Sequence, residues 1–148
     1  MRRPGGTARH CTYRQLPRQA DGRENRDANK HCRDLIIVPA SFGKYQKYSG
    51  YVREVFNDYT DQVESFGLDE AWLDITGSVG LFGSPVKIAK EISVRIKREL
   101  GITVSIGVSF NKITAKLGSD YKKPDAITVI EPDTYKQIVY PLPVGDLL

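Results

Sequence analysis

Cysteine is scarce in this sequence. Cys11 and Cys32 are the only two in 148 residues, and both lie in or beside the N-terminal stretch. Their spacing fits no zinc-ligand pattern and implies no disulfide framework. The two histidines, His10 and His31, fall in the same stretch with no partner visible in sequence. Long apolar runs are missing too. Nothing approaches the ~18 consecutive apolar residues that a membrane span needs, and no apolar h-region follows the start. The expectation is a soluble, cytoplasmic protein with no membrane partner.

The third thing missing is a one-signed charge on the main body. The formal net charge is +4 and the pI about 9.1, which at first suggests a polyanionic partner. From Met1 to Arg33, however, nine Lys/Arg stand against three Asp/Glu, while from Asp34 to Leu148 thirteen stand against fifteen. The basicity belongs to the N-terminal stretch, so net charge does not make the body a nucleic-acid binder.

What is present suits one compact domain. The length is short for two, and a hydrophobic fraction of 40% excludes wholesale disorder. Residues 1–33 carry Arg, Gly, Pro and Gln with almost no apolar periodicity, and such a segment buries too little surface to offset its ordering entropy. It reads as largely disordered. Order is expected to begin at Leu35-Ile36-Ile37-Val38, a short buried strand stopped by Pro39. Ser41 should cap a helix whose apolar face runs through Tyr45, Tyr48, Val52, Val55, Phe56 and Tyr59.

Two extended segments, Gln62 to Phe66 and Ala71 to Thr76, flank Gly67-Leu68-Asp69-Glu70 and read as a β-hairpin. Gly77 to Gly83 reads as a glycine-punctuated loop. Ser84-Pro85 starts a helix that buries Ile88, Ala89, Ile92, Ile96 and Leu100, pairs Glu91 with Arg95 and stops at Gly101. Ile102 to Val108 alternates as a strand, Asn111 to Ser119 reads as a short basic helix, and Ile127 to Ile130 as a last strand. Pro141-Leu142-Pro143 marks an exit from the domain. The order predicts an α+β fold close to the ferredoxin-like plan, a mixed sheet with helices packed on it.

The chemistry-bearing candidates sit at the hairpin. Asp69 and Glu70 are adjacent acids at its tip, with Asp74 four residues on. Strand neighbours normally point to opposite faces, but in a turn both carboxylates can converge. Two carboxylates with open coordination suit Mg²⁺, which takes few protein ligands. Alone, the pair is also ordinary turn chemistry. Asp74 is better suited to supporting the hairpin than to binding metal, and Trp72 and the tyrosine stripe of the first helix read as structural.

The surroundings favour the metal site. The run Val63-Glu64-Ser65-Phe66-Gly67-Leu68-Asp69-Glu70-Ala71-Trp72-Leu73-Asp74-Ile75-Thr76 resembles a signature of the Y-family, lesion-bypass DNA polymerases. A second signature follows as Gly101-Ile102-Thr103-Val104-Ser105-Ile106-Gly107-Val108-Ser109-Phe110-Asn111-Lys112. It continues through Ala115-Lys116-Leu117, Ser119-Asp120 and Lys122-Lys123-Pro124-Asp125. Upstream, Cys32-Arg33-Asp34-Leu35-Ile36-Ile37-Val38-Pro39 and Lys44-Tyr45-Gln46-Lys47-Tyr48-Ser49 also fit. Tyr140-Pro141-Leu142-Pro143-Val144 looks like the passage from that family's palm into its thumb. The resemblance covers residues 32–148 as a partial palm domain, and residues 1–31 fit no part of the pattern.

The resemblance implies a DNA-directed DNA polymerase working with two Mg²⁺ ions, primer–template DNA and deoxynucleoside triphosphates. It also implies a sliding clamp reached through regions not represented here. Asp69 and Glu70 would be the catalytic, metal-binding carboxylates, and Lys123 would contact the incoming triphosphate. Asn111, Lys112 and Lys116, at and along a helix start, would contact the DNA backbone, a position where free N–H groups and the dipole favour phosphate. Other parts of the family pattern are not found: a first strand with another metal-binding Asp, a steric-gate aromatic, fingers with a Tyr and an Arg, and a thumb. The expectation is a truncated or excised copy that does not extend a primer by itself. Two other readings stand beside it. One is a non-catalytic nucleic-acid-binding or interaction module using the basic tail. The other is a palm-fold nucleotide cyclase, against which Asn111-Lys112 and Lys123-Pro124 argue.

Overall fold

The computed structural model describes residues 39–146. The chain divides into two units at the Ala40–Ser41 bond, and every described element belongs to the second. The basic tail and the strand expected at residues 35–38 lie outside the described residues.

Helix α1 spans Phe42–Asn57. Ser41 occupies its N-cap, but its side chain makes no capping hydrogen bond, contrary to expectation. Val55 and, just beyond the helix, Tyr59 are buried, with Val52 and Phe56 packed against them. Tyr45 and Tyr48, expected on the same covered face, are exposed. The apolar face is therefore used only at the C-terminal half of α1.

The hairpin follows as β1, Val63–Phe66, and β2, Glu70–Leu73, antiparallel with Phe66 opposite Glu70 and Glu64 opposite Trp72. The turn is thus Gly67-Leu68-Asp69, and Glu70 is the first strand residue rather than part of the tip. Gly67 takes a φ of 73°, where a side chain would be strained. The stretch read as a glycine loop is instead helical: a 3₁₀ turn at Thr76–Ser78 and the short helix α2, Val79–Phe82.

Helix α3 spans Pro85–Leu100 and follows its sequence signals closely. Ser84 accepts a hydrogen bond from the Lys87 N–H, Pro85 sits at the first position, and Gly101 ends the helix at a left-handed φ of 68°. Ile88, Ile92 and Ile96 recur every fourth residue on one face and are buried with Val55 and Tyr59. Each such side chain removed from water contributes about 1.5–3 kcal/mol. The ion pairing differs from expectation. Glu91 meets Lys87, whereas Arg95 turns to Glu99 on its own helix and to Asp58 beyond α1.

Strand β3, Ile106–Ser109, pairs in parallel with β4, Ile127–Ile130. Between them runs α4, Lys112–Tyr121, and after β4 comes the short helix α5, Tyr135–Val139, which the sequence reading did not contain. A 3₁₀ turn at Val144–Asp146 follows the proline-marked exit. The α+β class holds. The mixed pairing is present, but among the described residues it forms two separate two-stranded ladders rather than one sheet.

Candidate active-site hairpin and its lysine partners

Period-two geometry puts Glu64, Phe66, Glu70 and Trp72 on one face of the hairpin, because directly opposed and alternate residues share a face. On α4, Lys112, Lys116 and Asp120 recur every fourth residue and so share one helix face. The structure brings these two faces together. Lys112 pairs with Glu64 and lies 5.6 Å from the centre of the Trp72 ring, while the Trp72 indole N–H donates to the Lys112 carbonyl at 3.2 Å. Phe66 packs against Trp72 with ring centres 5.1 Å apart. Lys116 Nζ donates to Glu70 Oε1 at 2.7 Å.

The hairpin is braced at both ends. Arg53 of α1 donates to the Gly67 carbonyl at 2.9 Å, which fixes the turn. Thr60 donates to the Asp74 carbonyl at 2.6 Å, and Asp74 Oδ1 accepts from the Thr76 N–H at 2.9 Å. Those Thr76 hydrogen bonds hold the Asp74 carboxyl below its ordinary pKa. Asp74 therefore supports the hairpin exit, as its position suggested.

Asp69 and Glu70 differ in surroundings despite being adjacent. Asp69 is exposed in the turn, whereas Glu70 is half-buried and its Oε2 is enclosed with no hydrogen-bond partner. An unpartnered buried carboxylate oxygen is costly unless a cation or donor meets it. This orphan atom, with the exposed Asp69 carboxylate one residue before it in the chain, fits a hard divalent cation such as Mg²⁺. Among the described residues no three His, Cys, Asp or Glu side chains come together as a ligand set.

The other sequence candidates fall around this centre. Asn111 caps α4, its Oδ1 accepting from the Thr114 N–H at 2.9 Å, so its side chain is committed to the helix start. Ser109, hydrogen-bonded to the Ile130 carbonyl and to Thr114, ties that start to the β3–β4 pair. Lys116 faces the hairpin, reaching Glu70 and also Asp120 at 2.9 Å. Lys123 Nζ meets the other Asp120 oxygen at 2.5 Å. Its loop is pinned further on by Asp125, whose carboxylate meets Lys97 at 2.7 Å.

In sequence Asp120 stands in the second signature but carries no assigned role. The signal for one is its place four residues after Lys116, which puts the two on one helix face. Desolvation pushes the Asp120 carboxyl up, but hydrogen bonds from Lys123 and Lys116 outweigh it and leave the pKa below its ordinary value. For Lys116, desolvation pushes down and the Glu70 and Asp120 carboxylates outweigh it, leaving the ammonium above its ordinary value.

Known proteins resemble this chain over most of its length. Residues 20–120 match the model of the impB/mucB/samB family. The chain belongs to that family. The match begins upstream of residue 32, where the sequence motifs start, and ends at Asp120. A DNA polymerase IV of Acetivibrio thermocellus is 56% identical over 122 residues, covering 82% of this chain and 31% of that protein. One of Ralstonia nicotianae is 44% identical over 120 residues, covering 81% and 34%. The crystal structure of DinB from Sulfolobus solfataricus superposes with a TM-score of 0.76 at 31% identity, covering 83% of this chain and 36% of that one. The insertion ternary complex of Dbh DNA polymerase gives 0.75 at the same identity. The Y-family resemblance read from the motifs is borne out. This impB/mucB/samB chain spans about a third of the length of the relatives it matches.

Proposed function

We propose that the chain forms the acidic-hairpin part of a nucleotidyl-transfer site that adds deoxynucleotides to a primer 3′-hydroxyl in translesion DNA synthesis. The observation that carries this reading is Asp69 and Glu70 side by side where the turn meets β2, inside the stretch that matches the family. The names of its relatives support it, since several are called DNA polymerase IV and one structural neighbour is an insertion ternary complex.

Asp69 and Glu70 would hold Mg²⁺. Bound there, the metal would stabilise the attacking and leaving oxygens of an in-line phosphoryl transfer. Asp69 offers its carboxylate from an open turn, and Glu70 offers Oε2 while Lys116 holds Oε1 in place. Lys123 would present its ammonium to the triphosphate, a shifting charge that a flexible lysine follows well. Lys112 and the first N–H groups of α4, oriented by the Asn111 cap, would hold DNA phosphates without reading sequence. Lys116, grouped with them by sequence, would reach phosphate only by leaving Glu70 and Asp120.

Two carboxylates bind Mg²⁺ weakly, so the 148-residue polypeptide by itself is not expected to extend a primer. The test is binding of a deoxynucleoside triphosphate to this polypeptide with and without Mg²⁺. Dependence on Mg²⁺ that is lost in Asp69→Asn and Glu70→Gln supports the proposal. Binding that ignores Mg²⁺, falls steeply with salt and disappears with residues 1–33 would mean a basic tail acting alone. Primer extension above an Asp69→Asn control would overturn the inactivity of the isolated polypeptide.

A further inference from the structure

Four side chains of alternating charge run in sequence from the hairpin to the loop after α4. Glu70 meets Lys116 at 2.7 Å, Lys116 meets Asp120 at 2.9 Å, and Asp120 meets Lys123 at 2.5 Å. The inner two are shared. Lys116 divides its hydrogen bonds between two carboxylates, and Asp120 divides its two oxygens between two lysines. The outer two, Glu70 and Lys123, are the groups that the proposed function assigns to the metal and to the nucleotide phosphates.

A shared charge responds when one of its partners leaves. If Lys123 turns to a polyphosphate, Asp120 keeps one lysine instead of two and attracts Lys116 more strongly. Lys116 then holds Glu70 less, and a carboxylate released from an ammonium is a better ligand for a divalent cation. The converse also holds. A cation on Glu70 repels Lys116 towards Asp120, which loosens Lys123. Coupling of this kind is reciprocal by thermodynamic necessity.

We propose that Asp120 is a positioning residue that couples polyphosphate capture at Lys123 to divalent-cation binding at Glu70, with Lys116 as the moving intermediary. The inference rests on the proposed function for its two ligands. All four side chains are part-exposed, so each pair is screened and the coupling is modest, about two- to five-fold in affinity. A purely structural network, pinning α4 to the hairpin, would give no such coupling between its ends.

The test uses the 148-residue chain with Mn²⁺ followed by electron paramagnetic resonance and, separately, inorganic tripolyphosphate followed by calorimetry without metal. Lys123→Gln removes the far end of the relay at an exposed loop residue and should raise Mn²⁺ affinity about two- to five-fold. Lys122→Gln makes the same charge change beside it and should not. Asp120→Asn should tighten tripolyphosphate by a similar factor while weakening Mn²⁺, and Lys116→Gln should do the opposite to both. Equal Mn²⁺ affinities in the Lys123→Gln and Lys122→Gln chains would overturn the coupling. So would Asp120→Asn and Lys116→Gln moving the two ligands in the same direction. If Glu70→Gln and Asp69→Asn leave Mn²⁺ binding unchanged, the metal reading itself falls and takes the coupling with it. If they abolish binding while the relay variants do nothing, only the coupling is lost.

Discussion

Gly107 of β3 lies so close to Ala115 of α4 that a Cβ at residue 107 would overlap the Ala115 carbonyl oxygen and stand 2.6 Å from the Ser119 N–H nitrogen. Strand and helix therefore touch backbone to backbone. Gly118 completes the contact from the helix side, its own Cβ position lying 3.2 Å from the Gly107 α-carbon. Lys116, the residue after Ala115, reaches Glu70 from a helix whose height above β3 is set by this contact.

Gly107→Ala should therefore cost more than a usual surface change, because both atoms in its way are backbone. The expected loss is about 2–3 kcal/mol or more, read as a lower urea midpoint with unchanged slope. It should also tighten any metal binding at Glu70, since a displaced α4 carries Lys116 off that carboxylate. Gly145, which has open space around it, is the control, and alanine there should be close to neutral.

Local patterns were legible in sequence and long-range partners were not. Helix α3 was readable from Ser84-Pro85 to Gly101 because cap, periodicity and stop all lie within the segment. Strand β4 was readable because Ile127 to Ile130 is a short apolar run. Arg95 was assigned to Glu91 by helical spacing, yet Asp58, 37 residues away, competes for it once α1 packs on α3. Helix α5 is five residues long, too short for periodicity to declare itself. At the site, Asp69 and Glu70 were visible through their motif. Lys116 was read as facing DNA because a basic helix start suggests phosphate, and only the docking of the hairpin on α4 reveals its carboxylate partners.

Ile96 offers the direct measure of the core. It is fully buried among residues of α1 and α3, so Ile96→Ala should cost about 2–5 kcal/mol, through lost burial and the cavity left behind. Val94, two residues away and 59% exposed, should change stability by no more than about 0.5 kcal/mol when made alanine. Chemical denaturation of the two variants side by side would show whether α3 presents the isoleucine face to the core.

The relay also predicts an acid-side signature. Folding lowers the pKa of Asp120, so the unfolded chain binds more protons there than the folded one as pH falls through the ordinary carboxylate range. The stability it supplies is present above the unfolded value, 3.8, and is lost as pH falls through the lower folded one. Asp120→Asn should flatten the dependence of stability on pH in that window and leave neutral-pH behaviour of the other carboxylates intact. Lys116 acts on the alkaline side. Its raised pKa means that its contribution is present below 10.5 and lost as pH rises through the higher folded value. Thermal melts across both windows, for the natural chain and Asp120→Asn, would separate the two effects.

Lys112 supplies the prediction that bears on DNA. Its ammonium is shared between the Glu64 carboxylate and the face of Trp72, so in the free chain a phosphate must compete with an internal partner. Removing the competitor should help and removing the lysine should hurt. Glu64→Gln is expected to tighten binding of a duplex oligonucleotide, whereas Lys112→Ala should weaken it and reduce the slope of log affinity against log salt by about 0.9. Both residues are well exposed, so either change should alter stability by less than about 1 kcal/mol and leave the fold intact. The slope is the deciding quantity. If Lys112→Ala lowers affinity without reducing it, the lysine acts by holding the hairpin to α4 rather than by touching phosphate. Trp72, the only tryptophan in the chain, would then report the loosened hairpin through its fluorescence.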